Sequence, residues 1–387
     1  MQPRVVVSER GAERARARHP WIYRSDVVET HASAGDIVRV VGPRGRRLGE
    51  ALYSDRSQIT LRLLTHGEHA AGRDLLRERL AAAIAFRQRL GIDATAYRLV
   101  HAEGDLLPSL VVDRYGDWLV LQTLSQGTDR LLPALTEMLV ELCAPAGILA
   151  RNDPRARLLE GLEQKVEVVH GSVPETVVIR DRDVEVEVDL WKGQKTGLFL
   201  DQRENRDAAA GYARGRLLDV FSYQGAFALR LARQCEEVVA VEMSEEAAAR
   251  IERNRERNGL SSVRVHTANA FDVLRELERA GERFDAIVLD PPAFAKNRAS
   301  LPRALGGYKE INLRALKLLR PGGTLVTCSC SYHLSEGMLL RIVEEAARDA
   351  HAGLSLLEKR MQSRDHPVLL GVPETAYLKY LILRKLA

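Results

Sequence analysis

The feature that most constrains this chain is a strict alternation of short apolar runs with amphipathic stretches, which begins near Leu190 and continues for some 160 residues. The predicted strands are Arg216–Phe221, Val238–Glu242, Val263–Thr267, Ala286–Leu289 and Gly323–Thr327. The predicted helices are Ala226–Arg233, Ser244–Asn258, Ala270–Ala280, Tyr308–Leu319 and Ser335–Ala350. Strands separated by helical crossovers run parallel, and a parallel sheet needs cover on both faces. The pattern therefore predicts an α/β fold, a doubly wound parallel sheet. Ligands of such sheets sit beyond the carboxyl ends of the strands, so the residues at those ends are the candidate ligand contacts.

Two other textures precede this region. Residues 1–72 read as short strands separated by glycine-rich turns. Arginines crowd this segment, and Arg16, Arg18, Arg46 and Arg47 together with Trp21 are its candidate RNA contacts. Guanidinium groups pair with phosphates and an aromatic ring can stack on an unpaired base. The bland alternative is a solvated basic surface. Residues 73–188 open with an amphipathic helix over 73–90, whose apolar face holds Leu76, Leu80, Ala83, Ile84 and Phe86 and which Gly91 stops. A hairpin turning at Gly116-Asp117 and a helix over Leu131–Cys143 follow, giving a small α+β module. His101 and Glu103 read as turn residues. Residues 189–387 form the doubly wound module.

Composition narrows the class. The 387 residues carry a net charge of only +4, which admits an anionic partner without demanding one. No apolar run is long enough to span a bilayer, and the first residues lack the apolar core of a signal peptide. Four scattered cysteines do not make a disulfide framework, so the expected location is the cytoplasm.

Three successive strand ends carry polar residues in an order that suits one ligand. Asp219 lies at the end of the first strand and is followed by Phe221, Ser222, Tyr223 and Gly225, a tight loop into a helix. Gly225 lets backbone approach a ligand. The loop is not G-x-G-x-x-G, which disfavours a pyrophosphate cofactor. Glu242 ends the second strand about 20 residues further on, the offset at which an acid binds ribose hydroxyls. Asn269 follows the third strand and can meet an adenine edge. Each residue alone reads as a cap or a surface polar group. Together they suit S-adenosylmethionine, which presents an ammonium, a ribose and an adenine.

The chemistry is carried further along. Asp290-Pro291-Pro292-Ala293-Phe294 follows the fourth strand, and its prolines stiffen a loop that can hold a carboxylate against a base. The fifth strand ends in Thr327-Cys328-Ser329-Cys330-Ser331. Cys328 and Cys330 are two apart and share a strand face. Cys330 lies nearer the loop and is the expected nucleophile, with Cys328 as an inert apolar filler. A zinc half-site from Cys328, Cys330 and His333 is a minor alternative. Carbon-5 of cytosine is a poor nucleophile until a thiolate adds at C6, so a cysteine here points to covalent catalysis on a pyrimidine.

With these residues in view, the chain resembles the bacterial large-subunit ribosomal RNA cytosine-5 methyltransferase I family. His19-Pro20-Trp21-Ile22-Tyr23 and Leu48-Gly49-Glu50-Ala51-Leu52-Tyr53 resemble its N-terminal PUA domain. Lys195-Thr196-Gly197-Leu198-Phe199-Leu200-Asp201-Gln202-Arg203 resembles the segment that enters its methyltransferase domain and lines the cofactor pocket, which brings in Phe199 and Gln202. The Asp219 loop, the Asp290 loop, the Cys330 segment and Asp365-His366-Pro367-Val368 fall where its motifs fall. The resemblance implies a Rossmann-like class I methyltransferase sheet preceded by a small β-barrel PUA domain and a small α+β domain. It also implies S-adenosylmethionine as cofactor and ribosomal RNA of the large subunit as substrate. It leaves room for a homodimer and implies no membrane partner and no metal. Two positions depart from familiar patterns. Pro292 or Ala293 stands where many RNA cytosine-5 enzymes carry a second cysteine, and Cys328 replaces a common aromatic. The competing readings are methylation of a guanine or adenine nitrogen, which needs no cysteine, and a non-catalytic RNA-binding or assembly factor.

Overall fold

The structure is a computed structural model, and it describes residues 2–295 and 298–386. The chain resolves into two compact units. One comprises residues 1–179, 188–200 and 364–375, and the other residues 180–187, 201–363 and 376–387.

In the first unit a six-stranded sheet runs in the spatial order Trp21–Tyr23, Ile59–Leu63, Arg47–Tyr53, Ile37–Val41, Arg4–Val7, Val27–Thr30. Alternate residues Val5, Val7, Val38 and Val40 point into its core with Ile22 and Leu61. A helix over Glu9–Arg16 also lies here, where the sequence pattern predicts only strands and turns. Ser8 caps it by accepting from the Gly11 N–H, and Gly11, Ala12 and Ala15 form its buried face. Residues this small give almost no apolar periodicity, which is why the helix escapes a pattern search. A five-stranded sheet follows, ordered Lys165–Gly171, Gly147–Asn152, Trp118–Thr123, Leu110–Tyr115, Ala96–His101. The predicted hairpin closes with Tyr115 opposite Trp118, and Gly116 takes the left-handed conformation that its turn requires.

The helix over Arg73–Arg89 buries Leu76, Leu80 and Ala83, as its periodicity predicts, and also Arg87. The guanidinium of Arg87 is buried because it is saturated. It pairs with Asp105 at 2.6 Å and donates to the carbonyls of Arg98 and Asp365 at 3.1 and 2.7 Å. His101 and Glu103 are likewise more than turn residues. His101 Nδ1 lies 2.9 Å from Arg98 Nη1, and Glu103 accepts from the Trp21 indole at 3.1 Å.

The second unit is built on a seven-stranded sheet. Its strands are β1 (Gly215–Val220), β2 (Cys235–Glu242), β3 (Val263–Thr267), β4 (Phe284–Leu289), β5 (Leu319–Ser329), β6 (Leu354–Arg360) and β7 (Lys379–Lys385). Their order in space is β3-β2-β1-β4-β5-β7-β6. Helices α1 (Ala226–Leu231), α2 (Glu245–Arg257), α3 (Ala270–Arg279), α4 (Leu301–Leu318) and α5 (Glu336–Asp349) supply the crossovers. The first five strands are parallel, as the alternation predicts. Strand order reverses between β1 and β4, and that switch point opens the crevice where ligands bind.

Two features go beyond the predicted pattern. Strand β7 inserts antiparallel beside β5, with Cys328 opposite Tyr380 and Ser329 opposite Lys379, and β6 pairs outside it. Strand β5 also begins earlier than Gly323. Leu319 pairs with Phe284 and Thr324 with Ala286, so residues 320–323 bulge out opposite Asp285. Arg320 anchors the bulge by donating to both Asp285 carboxylate oxygens at 2.8 Å. The core over this sheet is built mainly of apolar side chains, with Val220, Ile287, Leu289, Leu325, Tyr308, Ile311 and Leu381 buried.

Candidate active site

Strand β1 delivers Asp219 to the switch point, and the loop after it is conformationally strained. Phe221 and Tyr223 hold φ of 67° and 52°, and Gly225 holds 81°. Only glycine takes that region freely, so the two aromatics cost about 1–3 kcal/mol each, which the surrounding packing must offset. The strain turns the loop sharply enough that the Tyr223 and Ala228 amides face acidic side chains. Ala228 N–H donates to Asp219 Oδ2 at 3.0 Å, and Tyr223 N–H donates to Glu242 Oε2 at 2.8 Å. Phe221 meets Phe271 and Phe294 edge-on, with centroids 6.4 and 6.2 Å apart. Phe294 in turn tilts against Tyr308 at 4.8 Å. An aromatic cluster thus backs the strand ends.

Asp219 is the telling residue. It is buried, Oδ1 has no hydrogen-bond partner among the described residues, and burial pushes its pKa up to about 7, with the nearby Asp290 and Glu242 charges raising it further. A buried carboxylate oxygen without a donor is costly. An ammonium group would satisfy it, so Asp219 fits the amino-acid end of S-adenosylmethionine. Glu242 is aimed in advance. One oxygen accepts from Tyr223 and the other from the Met243 and Ser244 amides, both at 2.9 Å, and a carboxylate still has lone pairs left for ribose hydroxyls. Asn269 is exposed and caps α3 by accepting from the Phe271 amide at 2.9 Å. Its amide group, 3.9 Å from the Met243 sulfur, is the part turned toward the strand ends. Met243 is 69% exposed beside Glu242, an apolar surface of the sort an adenine ring packs against. Sequence reasoning passed over it because methionine after a strand carries no distinct signal.

Beyond β4, Asp290 meets the entry segment and the end of β5. Gln202 Nε2 donates to Asp290 Oδ1 at 3.2 Å and approaches Cys328 Sγ at 3.5 Å. The Asn205 side-chain amide holds Gln202 from behind at 2.7 Å. Cys328 is buried, and its thiol donates to Asp290 at 3.0 Å and to the Leu289 carbonyl at 3.3 Å. Burial and the adjacent Asp290 charge hold that thiol well above its ordinary pKa, so it stays protonated. Cys330 lies one pair further out, just past the end of β5, and is half-buried. The loop that carries it is tied down on two sides. Tyr308 places its hydroxyl 2.8 Å from Ser329 Oγ and 3.0 Å from Ser331 Oγ, and Ser331 Oγ accepts from the Ala295 amide at 3.4 Å. The last bond joins the proline-stiffened loop to the cysteine loop. Among the described residues no three histidine, cysteine or acidic side chains gather as metal ligands, and Cys328, Cys330 and His333 do not form such a group.

The remaining predicted residues lie in the first unit. Phe199 is half-buried with the Lys195 ammonium 4.6 Å from its ring centre. The segment around it is fixed by Thr196 donating to Asp113 at 2.6 Å and by the Leu198 amide donating to the Tyr115 hydroxyl at 3.1 Å. Arg16, Arg18 and Arg46 are exposed, although Arg16 pairs with Glu9. Arg47 is mostly engaged by Glu50 at 2.6 Å and Glu68 at 3.2 Å.

The parallel sheet, the strained loop after β1 and the paired acids at the ends of β1 and β2 define an S-adenosylmethionine-dependent methyltransferase. A family model of that description matches residues 97–384, and a PUA-like domain model matches residues 5–66. The chain is 40% identical over 379 residues to ribosomal RNA large subunit methyltransferase I of Aeromonas salmonicida, covering 95% of each chain. It is 38% identical over 383 residues to the protein of the same name from Aliivibrio fischeri, covering 96% of each. The chain belongs to the ribosomal RNA large subunit methyltransferase I family. A solved structure from Streptococcus mutans, assigned to the S-adenosylmethionine-dependent methyltransferases, matches with a TM-score of 0.84 at 18% identity. It covers 99% of this chain and 100% of its own, and at that identity it speaks for the fold alone.

Proposed function

We propose that this chain methylates C5 of a cytosine in large-subunit ribosomal RNA, with Cys330 as the nucleophile toward the base. The observation that carries the reading is the placement of Cys330. It lies at the carboxyl end of β5 beside β4, where Leu289 is in register with Thr327 and the Asp290 loop begins. A base held by that rigid loop lies within reach of the thiol. The names of the relatives support large-subunit ribosomal RNA as the substrate.

S-adenosylmethionine supplies an electrophilic methyl carbon. The chain supplies the rest. The Cys330 thiolate forms a bond to C6, and the ring electrons shift to C5, which becomes nucleophilic. After C5 is methylated, its proton must leave to a base and the S–C6 bond breaks to restore the double bond. Asp290 and Gln202 hold the loop and the strand end together while Cys328 remains a protonated filler. Phe199, Gln202, Asp219, Phe221, Tyr223, Gly225, Glu242, Asn269 and Asp290 are assigned to the cofactor, Asp290 also to catalysis beside Cys330, and Arg16, Arg18, Trp21, Arg46 and Arg47 to RNA. The corresponding modules are residues 1–72, 73–188 and 189–387. Action on ribosomal RNA supports a cytoplasmic location. Among the described residues no helix is long and apolar enough to cross a membrane.

The test is adduct trapping. RNA carrying 5-fluorocytosine cannot lose the C5 substituent, so the wild type should form a denaturation-resistant complex with it in the presence of the cofactor. Cys330→Ala should form none and transfer no methyl groups, and Cys328→Ala should still form it. Methyl transfer surviving in Cys330→Ala would replace this reading with methylation of a base nitrogen.

A further inference from the structure

A buried cation sits behind the cysteine loop. Lys379 opens β7, opposite Ser329 of β5, and is only 9% exposed. Its ammonium donates to the Ser331 carbonyl at 2.6 Å and to the Tyr377 carbonyl at 2.7 Å. The first of these carbonyls belongs to the residue directly after Cys330. Two carbonyl bonds use two of the three ammonium protons and orient the group. No ion pair to a carboxylate anchors it among the described residues, and the titratable group that acts on it is the Cys330 thiol.

We propose that Lys379 is a positioning residue that stabilises the thiolate of Cys330 and so activates the nucleophile. The inference rests on the reading of Cys330 as the nucleophile, and it adds the group that makes this thiol, and not Cys328, the ionised one. The surroundings of the two sulfurs differ in sign. Cys328 faces the Asp290 carboxylate, which repels a thiolate, and Tyr380, whose buried hydroxyl stays neutral. Cys330 is acted on by the Lys379 ammonium from β7 and by the hydroxyl of Tyr308 from α4, which burial keeps neutral. Cys328 itself is a neutral neighbour. The thiol proton passes to solvent, and the ammonium keeps its own. Burial lowers the Lys379 pKa to about 8, so the charge is present at neutral pH and fades above pH 8.

The experiment is the pH dependence of iodoacetamide alkylation at Cys330 in the full chain, located by peptide fragmentation. The wild type should show a midpoint clearly below the ordinary cysteine value of about 8.5. Lys379→Met removes the charge and should raise the midpoint by about one unit or more, roughly a tenfold slower alkylation at pH 7. Lys379→Arg should restore a low midpoint. Lys379→Gln keeps donors for the carbonyls without the charge and should behave like Lys379→Met, which separates charge from folding. Retained S-adenosylhomocysteine binding certifies each variant as folded. A wild-type midpoint at or above 8.5, or an unchanged midpoint in a folded neutral variant, overturns the proposal. Trapping on fluorinated RNA reads the other premise separately. A low, lysine-dependent midpoint without an adduct leaves the pair standing and removes the C5 reading. An adduct with an ordinary midpoint removes the pair alone.

Discussion

With the cofactor's ammonium on Asp219, as proposed, this residue would couple cofactor binding to pH. Its folded pKa of about 7 lies above the unfolded carboxyl value, so the folded state favours the protonated form. Its contribution to stability is therefore present at acid pH and is lost as pH rises from about 4 through 7. Binding an ammonium needs the ionised form, so cofactor affinity should rise with pH and level off above 7. Below 7 it should fall up to about tenfold per unit, the factor that one pKa unit represents. Calorimetry from pH 6 to 8 should show that slope in the wild type and none in Asp219→Asn. The same variant should melt no lower than the wild type at pH 8 without cofactor, since it removes a buried charge. Glu242→Ala should weaken cofactor binding by about 1–3 kcal/mol, because three backbone amides and the ribose hydroxyls lose their acceptor. Unchanged affinity in a folded variant would remove Glu242 from the ribose. Both acids were legible in the sequence, since a strand followed by a tight loop announces its end. The orphaned oxygen of Asp219 was not, because burial is a property of the packed chain.

The loop from β1 to α1 is the element on which the proposed cofactor site depends. Gly225 holds φ of 81°, and a Cβ there would lie 3.0 Å from Ile251 Cγ2 on α2. Gly225→Ala should cost about 1 kcal/mol or more from backbone strain alone and displace the loop. Thermal melting and cofactor titration should both register it, and a variant with native affinity would show that the loop adapts. The end of β5 teaches a different lesson. Period-two spacing predicts Cys328 and Cys330 on one strand face, but the strand ends at Ser329, and spacing says nothing of what each sulfur meets. Asp290, Gln202 and Leu289 surround Cys328, whereas Lys379 and Tyr308 act on Cys330. Those five partners come from four separate segments. Strand β7 was the hardest to foresee, because the helix–strand rhythm stops at α5 and an antiparallel insertion between β5 and β6 leaves no local mark.

At the scale of the molecule the open matter is how RNA is held. Deleting the N-terminal module is a poor test, since Leu52 and Leu64 pack in one core with Leu76, Leu80 and Leu135 and would leave it exposed. Changing the exposed Arg16, Arg18 and Arg46 together to glutamine avoids that. If all three contact phosphates, the slope of log affinity against log salt should flatten by about 2, on the order of 0.7 per contact in single-stranded RNA. Cofactor affinity should not move. An unchanged slope would give the basic surface another task. Arg47 is held by Glu50 and Glu68 and should contribute less than its neighbours.

By itself the sequence determined the parallel core of the sheet, the positions of its strand ends and the residue types waiting there. These are local matters, set by apolar periodicity, prolines and turn residues within a few positions of one another. Tertiary structure alone decided which carboxylate oxygen lacks a donor, which thiol faces a carboxylate and which acidic or basic side chains are already spent on each other. It also decided that a lysine 49 positions after Cys330 stands behind its loop. The physical reason is range. Secondary structure follows from neighbours along the chain, whereas charge state and hydrogen-bond satisfaction follow from neighbours in space, and only folding brings those together.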